Sequence, residues 1–174
     1  MITQEELKSI LHYNSDTGEW IWLIDIPSRI KKGMKAGCIK KRGKKKNKHI
    51  KIRQKNYIAS RLAFLYMTGN FPEYEVDHKD RNPLNDSWIN LRKATKSQNI
   101  SNKPGKPRKY DLPRGVYKTT VNKKNPFTAE CGGKKLGYFP TIELAQKAYE
   151  TESKLKYGEF TYHGNYTNST ISGT

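Results

Sequence analysis

The chain has 174 residues, enough for one domain or two small ones, and only 34% of them are hydrophobic. With a mean hydropathy of −0.94, this composition favours small modules over one large core. The net charge of +18 predicts a polyanionic partner. We expect no membrane association, because no apolar run could span a bilayer, no helix has an apolar face and the N-terminus lacks a signal sequence. Two cysteines, Cys38 and Cys131, make neither a disulfide framework nor a zinc knuckle, so a reducing, cytoplasmic location is predicted.

The N-terminal stretch contains a helix signal followed by a turn signal. A capping-box pattern at Thr3 and Glu6 predicts a short helix with Leu11 on its buried side. The Asp-Thr-Gly turn at 16–18 then predicts a strand over 20–24.

Residues 29–56 contain fourteen lysines or arginines and no acidic residue. Alternation of apolar and polar residues late in this segment predicts a basic β-hairpin with a flexible tip. Such charge without any acid is self-repelling unless a polyanion is near, so we expect phosphate contacts here, although a solvated charged face is the simpler alternative. The predicted contacts are Lys44, Lys45, Lys46 and Arg53.

The next segment has the pattern of two strands and a helix. We predict a helix over 57–68, a strand over 75–78, a polar loop over 81–89, a return strand over 91–95 and a short helix that carries Asn99. This order predicts a ββα unit.

The polar residues of that unit suit a phosphodiester-cleaving site. Eleven residues separate His78 from Asn90, and eight separate Asn90 from Asn99. A neutral imidazole can take a proton from water near pH 7, which predicts His78 as general base. Asp77 and Asn99 offer oxygen ligands for one Mg²⁺ or Mn²⁺, and Asn90 is predicted to bind backbone across the loop and fix the strand of His78. Asp80 is a weaker ligand candidate.

Each of these residues taken alone has an ordinary structural explanation, such as a surface histidine or a turn asparagine. The joint spacing in a chain this basic favours a catalytic site. His12, His49 and His163 have no comparable partners in the sequence, and we expect them to be structural or on the surface.

Five short stretches within residues 57–102 carry a resemblance to a known family. They are Asp77-His78-Lys79-Asp80, Asn82-Pro83, Asn90-Leu91-Arg92, Ala94-Thr95 and Gln98-Asn99. They resemble the HNH endonuclease family, in its subgroup of phage- and intron-encoded homing endonucleases. The resemblance implies a ββα-metal fold, cleavage of DNA to 5′-phosphate products, a histidine base, an Asp and final Asn that hold the metal, and a middle Asn that orients the site. Relatives often have His before the arginine of the preceding helix, where this chain has Ser60 before Arg61; Arg61 and Arg92 are further predicted DNA contacts.

A Pro-, Gly- and Lys-rich linker over 104–112 predicts a boundary, and a second module follows over 113–165 with a polar tail over 166–174. Its pattern predicts three strands and one helix on the back of the sheet. The stretches that carry a second resemblance are Arg114-Gly115-Val116-Tyr117, Phe127-Thr128-Ala129-Glu130, Leu136-Gly137-Tyr138-Phe139, Glu143-Leu144-Ala145 and Ala148-Tyr149.

This module resembles the Apetala-two DNA-binding domain, which is known from plant ethylene-response factors and also occurs fused to phage HNH nucleases. Phe127 stands where the family usually has Trp. The resemblance implies that the sheet lies in the major groove, where lysines contact phosphate and Arg114 can read guanine. The predicted DNA contacts are Arg114, Tyr117, Lys118, Thr120, Lys123, Lys134 and Tyr138. Ordinary solvated sheet residues are the alternative for each.

The predicted fold class is therefore α+β, with an N-terminal helix and basic hairpin over 1–56, a nuclease core over 57–103 and the DNA-binding module after the linker. The predicted function is a metal-dependent, site-specific DNA endonuclease of homing type that nicks double-stranded DNA as a monomer, without a protein partner, in the host cytoplasm if it is phage-encoded. Two alternatives remain open: a catalytically inactive DNA-binding regulator, and an RNA-binding protein, which the missing aromatic platform disfavours.

Overall fold

The computed structural model describes residues 1–27, 30–43, 45–103, 112–121 and 123–162, without the side chains of Arg42 and Lys45. The chain divides into two compact units, Met1–Asn99 and Ile100–Thr174. Within the described ranges, no helix combines the length and the apolar character needed to cross a bilayer. The predictions for Lys44, for the side chain of Lys45, for His163, for most of the linker and for the tail lie outside the described residues.

The first unit begins with helix α1, Gln4–Ile10, and the Thr3 hydroxyl accepts a hydrogen bond from the Glu6 N–H at 3.2 Å, as the capping pattern predicts. Two antiparallel strands follow, β1 over Leu11–Asn14 and β2 over Glu19–Trp22. The placement of Leu11 on the helix was therefore wrong. Its backbone is extended, and the residue is buried as the first residue of β1, opposite Trp22.

The basic segment forms a three-stranded antiparallel sheet. The predicted hairpin is present as β3, Cys38–Arg42, and β4, Lys45–Ile52. A third strand, β5, covers Lys55–Ile58 and pairs with β4. Residues 57 and 58 therefore belong to a strand, and the helix predicted from residue 57 begins two residues later.

Helix α2 covers Ala59–Thr68 and ends at Gly69, whose φ of 80° is the left-handed conformation that glycine adopts at helix ends. The ββα order is also present: β6 is Glu75–His78, β7 is Leu91–Ala94 and α3 is Lys96–Ser101. Strands β6 and β7 are antiparallel, with Asp77 opposite Arg92 and His78 opposite Leu91. A 3₁₀ turn, Trp88–Asn90, leads directly into β7.

One apolar core joins the elements of the first unit. Its largest fully buried side chains are Leu7, Leu11, Trp20, Ile50 and Leu62, contributed by α1, β1, β2, β4 and α2. The N-terminal elements therefore share a core with α2, the helix that precedes β6. Truncating a residue such as Leu62 to alanine typically costs about 2–5 kcal/mol.

The second unit has the predicted three strands and one helix. Strands β8, Val116–Lys118, β9, Phe127–Cys131, and β10, Lys134–Phe139, form an antiparallel sheet with β9 in the centre. Helix α4, Ile142–Tyr157, begins at Thr141, whose hydroxyl accepts the Leu144 N–H at 3.3 Å. The small core consists of Val116, Ala129, Cys131, Ala145 and Tyr149.

Candidate active site

Asp77 and Arg92 form an ion pair in the middle of the β6–β7 ribbon. The Arg92 Nε donates to Asp77 Oδ2 at 2.9 Å, and the two side chains are 10% and 5% exposed. Antiparallel pairing places the two residues directly opposite each other, so the strand register itself produces the contact. The guanidinium compensates the cost of burying the carboxylate and holds its orientation.

His78, at the end of β6, contacts a carboxylate from the loop that follows. Its Nε2 lies 3.0 Å from Asp86 Oδ1, and its side chain is 11% exposed. Asp86 is itself 1% exposed. The imidazole is therefore held between the strand that carries it and a buried acidic residue eight positions later.

Asn90 closes the loop between the two strands. Its Oδ1 accepts from the Asp80 N–H at 2.9 Å, and its Nδ2 donates to Asp80 Oδ1 at 2.9 Å and to the Asn85 carbonyl at 2.7 Å. Its backbone carbonyl also accepts from the Lys79 N–H at 2.9 Å. These bonds are the contacts across the loop that the sequence predicted for Asn90, while its part in catalysis stays a prediction.

The same loop stabilises the ionised form of Asp80. Partial burial alone would raise the pKa of this carboxyl group, but hydrogen bonds from the Asn85 amide, the Asn82 N–H and the Asn90 amide, with the charge of His78, hold it below its ordinary value. Asp80 therefore serves as an acceptor that orders the loop beside His78.

Asn99, on α3, contacts a residue that the sequence analysis did not single out. Its Nδ2 donates to Glu75 Oε2 on β6. Because strand side chains alternate, Glu75 lies on the same face of β6 as Asp77, roughly 7 Å along the strand. The contact therefore brings the Asn99 amide to the face of the ribbon that carries Asp77.

The donor set on this face suits a hard divalent cation. Among the described residues, no group of three or more His, Cys, Asp or Glu side chains is arranged to hold a metal. The predicted ligands are instead one carboxylate and one amide, the oxygen donors that Mg²⁺ and Mn²⁺ accept together with water. A carboxylate has two oxygens that each carry lone pairs, so a carboxylate that accepts hydrogen bonds from the protein can also bind a cation. Asp77 and Asn99 fit such an ion by donor chemistry.

Four of the predicted DNA-contacting arginines bind groups of the protein. Arg53 pairs with Glu6, and Arg92 pairs with Asp77. Arg61 donates to two backbone carbonyls of the segment before β6 at 2.7 and 2.8 Å, and Arg114 donates to three carbonyls within residues 100–103. These bonds order the chain locally, and DNA contact by the four arginines stays a prediction.

The other predicted DNA contacts among the described residues have exposed side chains. They are Lys46, Tyr117, Lys118, Thr120, Lys123, Lys134 and Tyr138. Lys134 also pairs with Glu152 of α4 at 3.0 Å. Tyr117 and Tyr138 both lie opposite Thr128 of β9, so the three form a row on the sheet face away from the buried Ala129 and α4.

Sequence reasoning missed Asp86 and Glu75 as partners of the site. The loop over 81–89 contains several Asn, Asp and Ser residues, which favour turns, so nothing in the sequence distinguished Asp86 from its neighbours. Its distinguishing property is burial, which depends on a contact with the N-terminal hairpin. For Glu75 the sequence did contain a usable signal. It lies two positions before Asp77, and this spacing places both side chains on the same face of a strand.

Part of the chain matches a known protein family. Residues 57–100 match the family model described as HNH endonuclease. No curated protein and no solved structure matches the chain significantly. The matched segment contains α2, β6, β7 and nearly all of α3, and it supports an HNH nuclease domain that acts on DNA over these residues.

Proposed function

We propose that the first unit hydrolyses DNA phosphodiester bonds with His78 as general base and with Asp77 and Asn99 as ligands of one Mg²⁺ or Mn²⁺. The observation that carries the proposal is the arrangement of the β6–β7 ribbon. A buried carboxylate, an imidazole held by a second carboxylate and an amide from α3 all belong to the segment that matches HNH endonucleases, which supports their assignment to one site.

The residues of the site have separate tasks in this scheme. His78 takes a proton from water as the water oxygen attacks phosphorus, the P–O3′ bond breaks, and solvent returns a proton to the leaving oxygen. The products are a 5′-phosphate and a 3′-hydroxyl. A divalent cation bound by Asp77 and Asn99 would neutralise charge on the phosphoryl oxygens and the leaving oxygen. Arg92 fixes the orientation of Asp77, and Asn90 fixes the loop after His78.

The second unit is proposed to select the DNA. Its sheet presents the row of Tyr117, Thr128 and Tyr138 on the face away from α4, with Lys118 at the end of β8. The major groove is wide enough for a sheet face of this kind, and the lysines supply phosphate contacts. This arrangement supports the Apetala-two-like role suggested by the sequence. The finer proposal is a monomeric homing-type enzyme that nicks one strand at a specific site, because the described residues of one chain contain one such centre.

A plasmid assay tests the function directly. Supercoiled plasmids with a random insert library are incubated with Mg²⁺ and wild-type protein, His78→Ala or His12→Ala. His12 is an exposed histidine on β1 and serves as the matched control. We expect wild type and His12→Ala to relax a subset of plasmids, and His78→Ala to bind the same DNA in a mobility-shift assay without relaxing it.

Two outcomes would contradict the proposal. A wild-type protein that binds selected plasmids and relaxes none would favour the catalytically inactive DNA-binding regulator. Equal relaxation by wild type and His78→Ala would assign the proton transfer to another group.

A further inference from the structure

Asp86 is a buried acid with an incomplete set of partners. Its Oδ1 lies 3.0 Å from His78 Nε2, while its Oδ2 is buried without a hydrogen-bond partner among the described residues. Removing a carboxylate from water costs several kcal/mol unless a charge or hydrogen bonds compensate. A residue kept in such a position is better explained by what it does to His78 than by its contribution to stability.

The N-terminal β1–β2 hairpin holds the backbone of Asp86 in place. The Tyr13 hydroxyl donates to the Asp86 carbonyl at 2.5 Å, and the Trp88 N–H donates to the Ser15 carbonyl at 2.7 Å. A Cβ atom on Gly18 would lie 2.3 Å from the Asp86 carbonyl carbon, so the hairpin turn packs directly on this loop. Two of these contacts are made to Asp86 itself and the third to Trp88, two residues later, and all three come from hairpin residues outside the matched segment 57–100.

We propose that Asp86, seated by the β1–β2 hairpin, is the positioning residue of His78 and selects the tautomer that carries its proton on Nε2. A neutral imidazole has one donor nitrogen and one acceptor nitrogen, and an ionised carboxylate only accepts. The 3.0 Å contact therefore makes Nε2 the donor to Asp86 and leaves the acceptor lone pair on Nδ1.

This inference deepens the proposed function and rests on it for the role of Nδ1. The proton removed from the attacking water goes to Nδ1, and the resulting imidazolium faces the Asp86 carboxylate through Nε2. The carboxylate stabilises that charge and keeps the ring from rotating, the role that a buried acid plays beside a catalytic histidine in other enzymes. The N-terminal hairpin thereby becomes part of the catalytic apparatus without touching the substrate.

The tautomer can be measured without DNA or metal. The full-length protein is labelled with ¹⁵N in its histidines, and the ring nitrogens are recorded by NMR at a pH at which His78 is neutral, with His78→Ala to assign its signals. We expect a protonated Nε2 and an unprotonated Nδ1 in wild type. A His78 ring protonated on Nδ1 in wild type would overturn the proposal, whatever the activity of the protein.

Asp86→Asn tests the consequence for catalysis, because it keeps the shape of the side chain and removes its charge. We expect a mixture of His78 tautomers, DNA binding within about two-fold of wild type, and nicking slower by about 10- to 100-fold, as for other residues that orient a ligand or base. Asp25→Asn, which changes an exposed loop residue of the same unit, should nick like wild type.

The two proposals fail in different ways. If Asp86→Asn nicks at the wild-type rate, Asp86 does not position the base, even though the nuclease proposal stands. If wild type nicks no DNA but shows the Nε2-protonated ring, the nuclease proposal fails while the tautomer assignment stands. Should Asp86→Asn fail to fold, the spectrum of wild type still decides the assignment.

Discussion

The two units of the chain bury different kinds of polar group. The described part of the first unit buries two carboxylates, Asp77 and Asp86, whereas the buried polar residues of the described second unit are all neutral: Ser101, Asn102, Ser153 and Thr161. Burial also raises the pKa of Tyr149 and of Cys131, which favours their neutral forms. Because burying charge is costly, this difference supports the proposal that the chemistry belongs to the first unit, while the second presents an exposed sheet face.

The two units also differ in how they use positively charged side chains. In the first unit Arg92 compensates a buried acid, whereas Lys134 of the second unit meets Glu152 at the surface, where their side chains are 66% and 25% exposed. A buried pair of this kind is strongly coupled to folding, while an exposed pair contributes little. Matched substitutions in the two units should therefore have unequal effects on stability.

The largest expected effect is that of Asp77→Ala. Removing the carboxylate takes away the charge that the Arg92 Nε binds while the guanidinium stays buried, which should lower the free energy of unfolding by about 3–5 kcal/mol. Loss of a proposed metal ligand should abolish nicking while binding to DNA persists at temperatures at which the variant is folded. Glu152→Ala is the matched change in the second unit and should cost less than about 1 kcal/mol. Chemical denaturation and the plasmid assay measure both effects, and retained nicking by Asp77→Ala would refute its role as a ligand.

A smaller effect, confined to the second unit, is expected for Gly115→Ala. A Cβ atom there would lie 2.0 Å from Tyr149 Cδ2, whereas Gly133 has no atom within 4 Å of the corresponding position. Both glycines have positive φ, 77° and 85°, so Gly133→Ala controls for backbone strain. Overpacking should cost Gly115→Ala about 1–3 kcal/mol beyond that control.

Two different measurements report on the two units in these glycine variants. All three tryptophans, Trp20, Trp22 and Trp88, lie in the first unit. Tryptophan fluorescence during unfolding should therefore be the same in Gly115→Ala and Gly133→Ala, while amide hydrogen exchange in α4 should be faster in Gly115→Ala. Equal exchange in the two variants would mean that the contact with Tyr149 does not support the second unit.

The smallest effect is expected for Tyr13→Phe, which removes only the hydroxyl that binds the Asp86 carbonyl. Burial, with the nearby charge of Asp86, raises the pKa of Tyr13, so the hydroxyl stays a donor throughout the ordinary pH range. Its loss should cost about 0.5–1.5 kcal/mol and slow nicking by a few-fold. Tyr57→Phe, on the ring that stacks on Phe71, is the control. A Tyr13→Phe enzyme that nicks at the wild-type rate would show that this hydrogen bond does not set the position of Asp86.

Sequence reasoning succeeded where the signal is local. The N-cap Thr3, the end of α2 at Thr68 and the order of β6, β7 and α3 follow from residues that are close to each other in sequence. Periodicity along the chain is enough to predict such features because each depends on hydrogen bonds between near neighbours.

It failed where a residue's environment depends on distant parts of the chain. Strands β1 and β5 have four residues each, and they exist through pairing with β2 and β4 rather than through their own composition. The burial of Asp86 requires Tyr13, which is 73 residues away in sequence. The partners of the predicted site residues were missed for the same reason, although the residues themselves were singled out.

The most direct test of the central claim, that His78 cleaves a DNA backbone bond by activating water, is the chemistry of the ends. Plasmids relaxed by wild-type protein and Mg²⁺ are purified and treated with DNA ligase, which seals only a 5′-phosphate beside a 3′-hydroxyl. We expect ligase to restore closed circles after wild-type treatment, and His78→Ala to produce no nicks to seal. Ligatable nicks formed by His78→Ala at the wild-type rate would contradict the central claim.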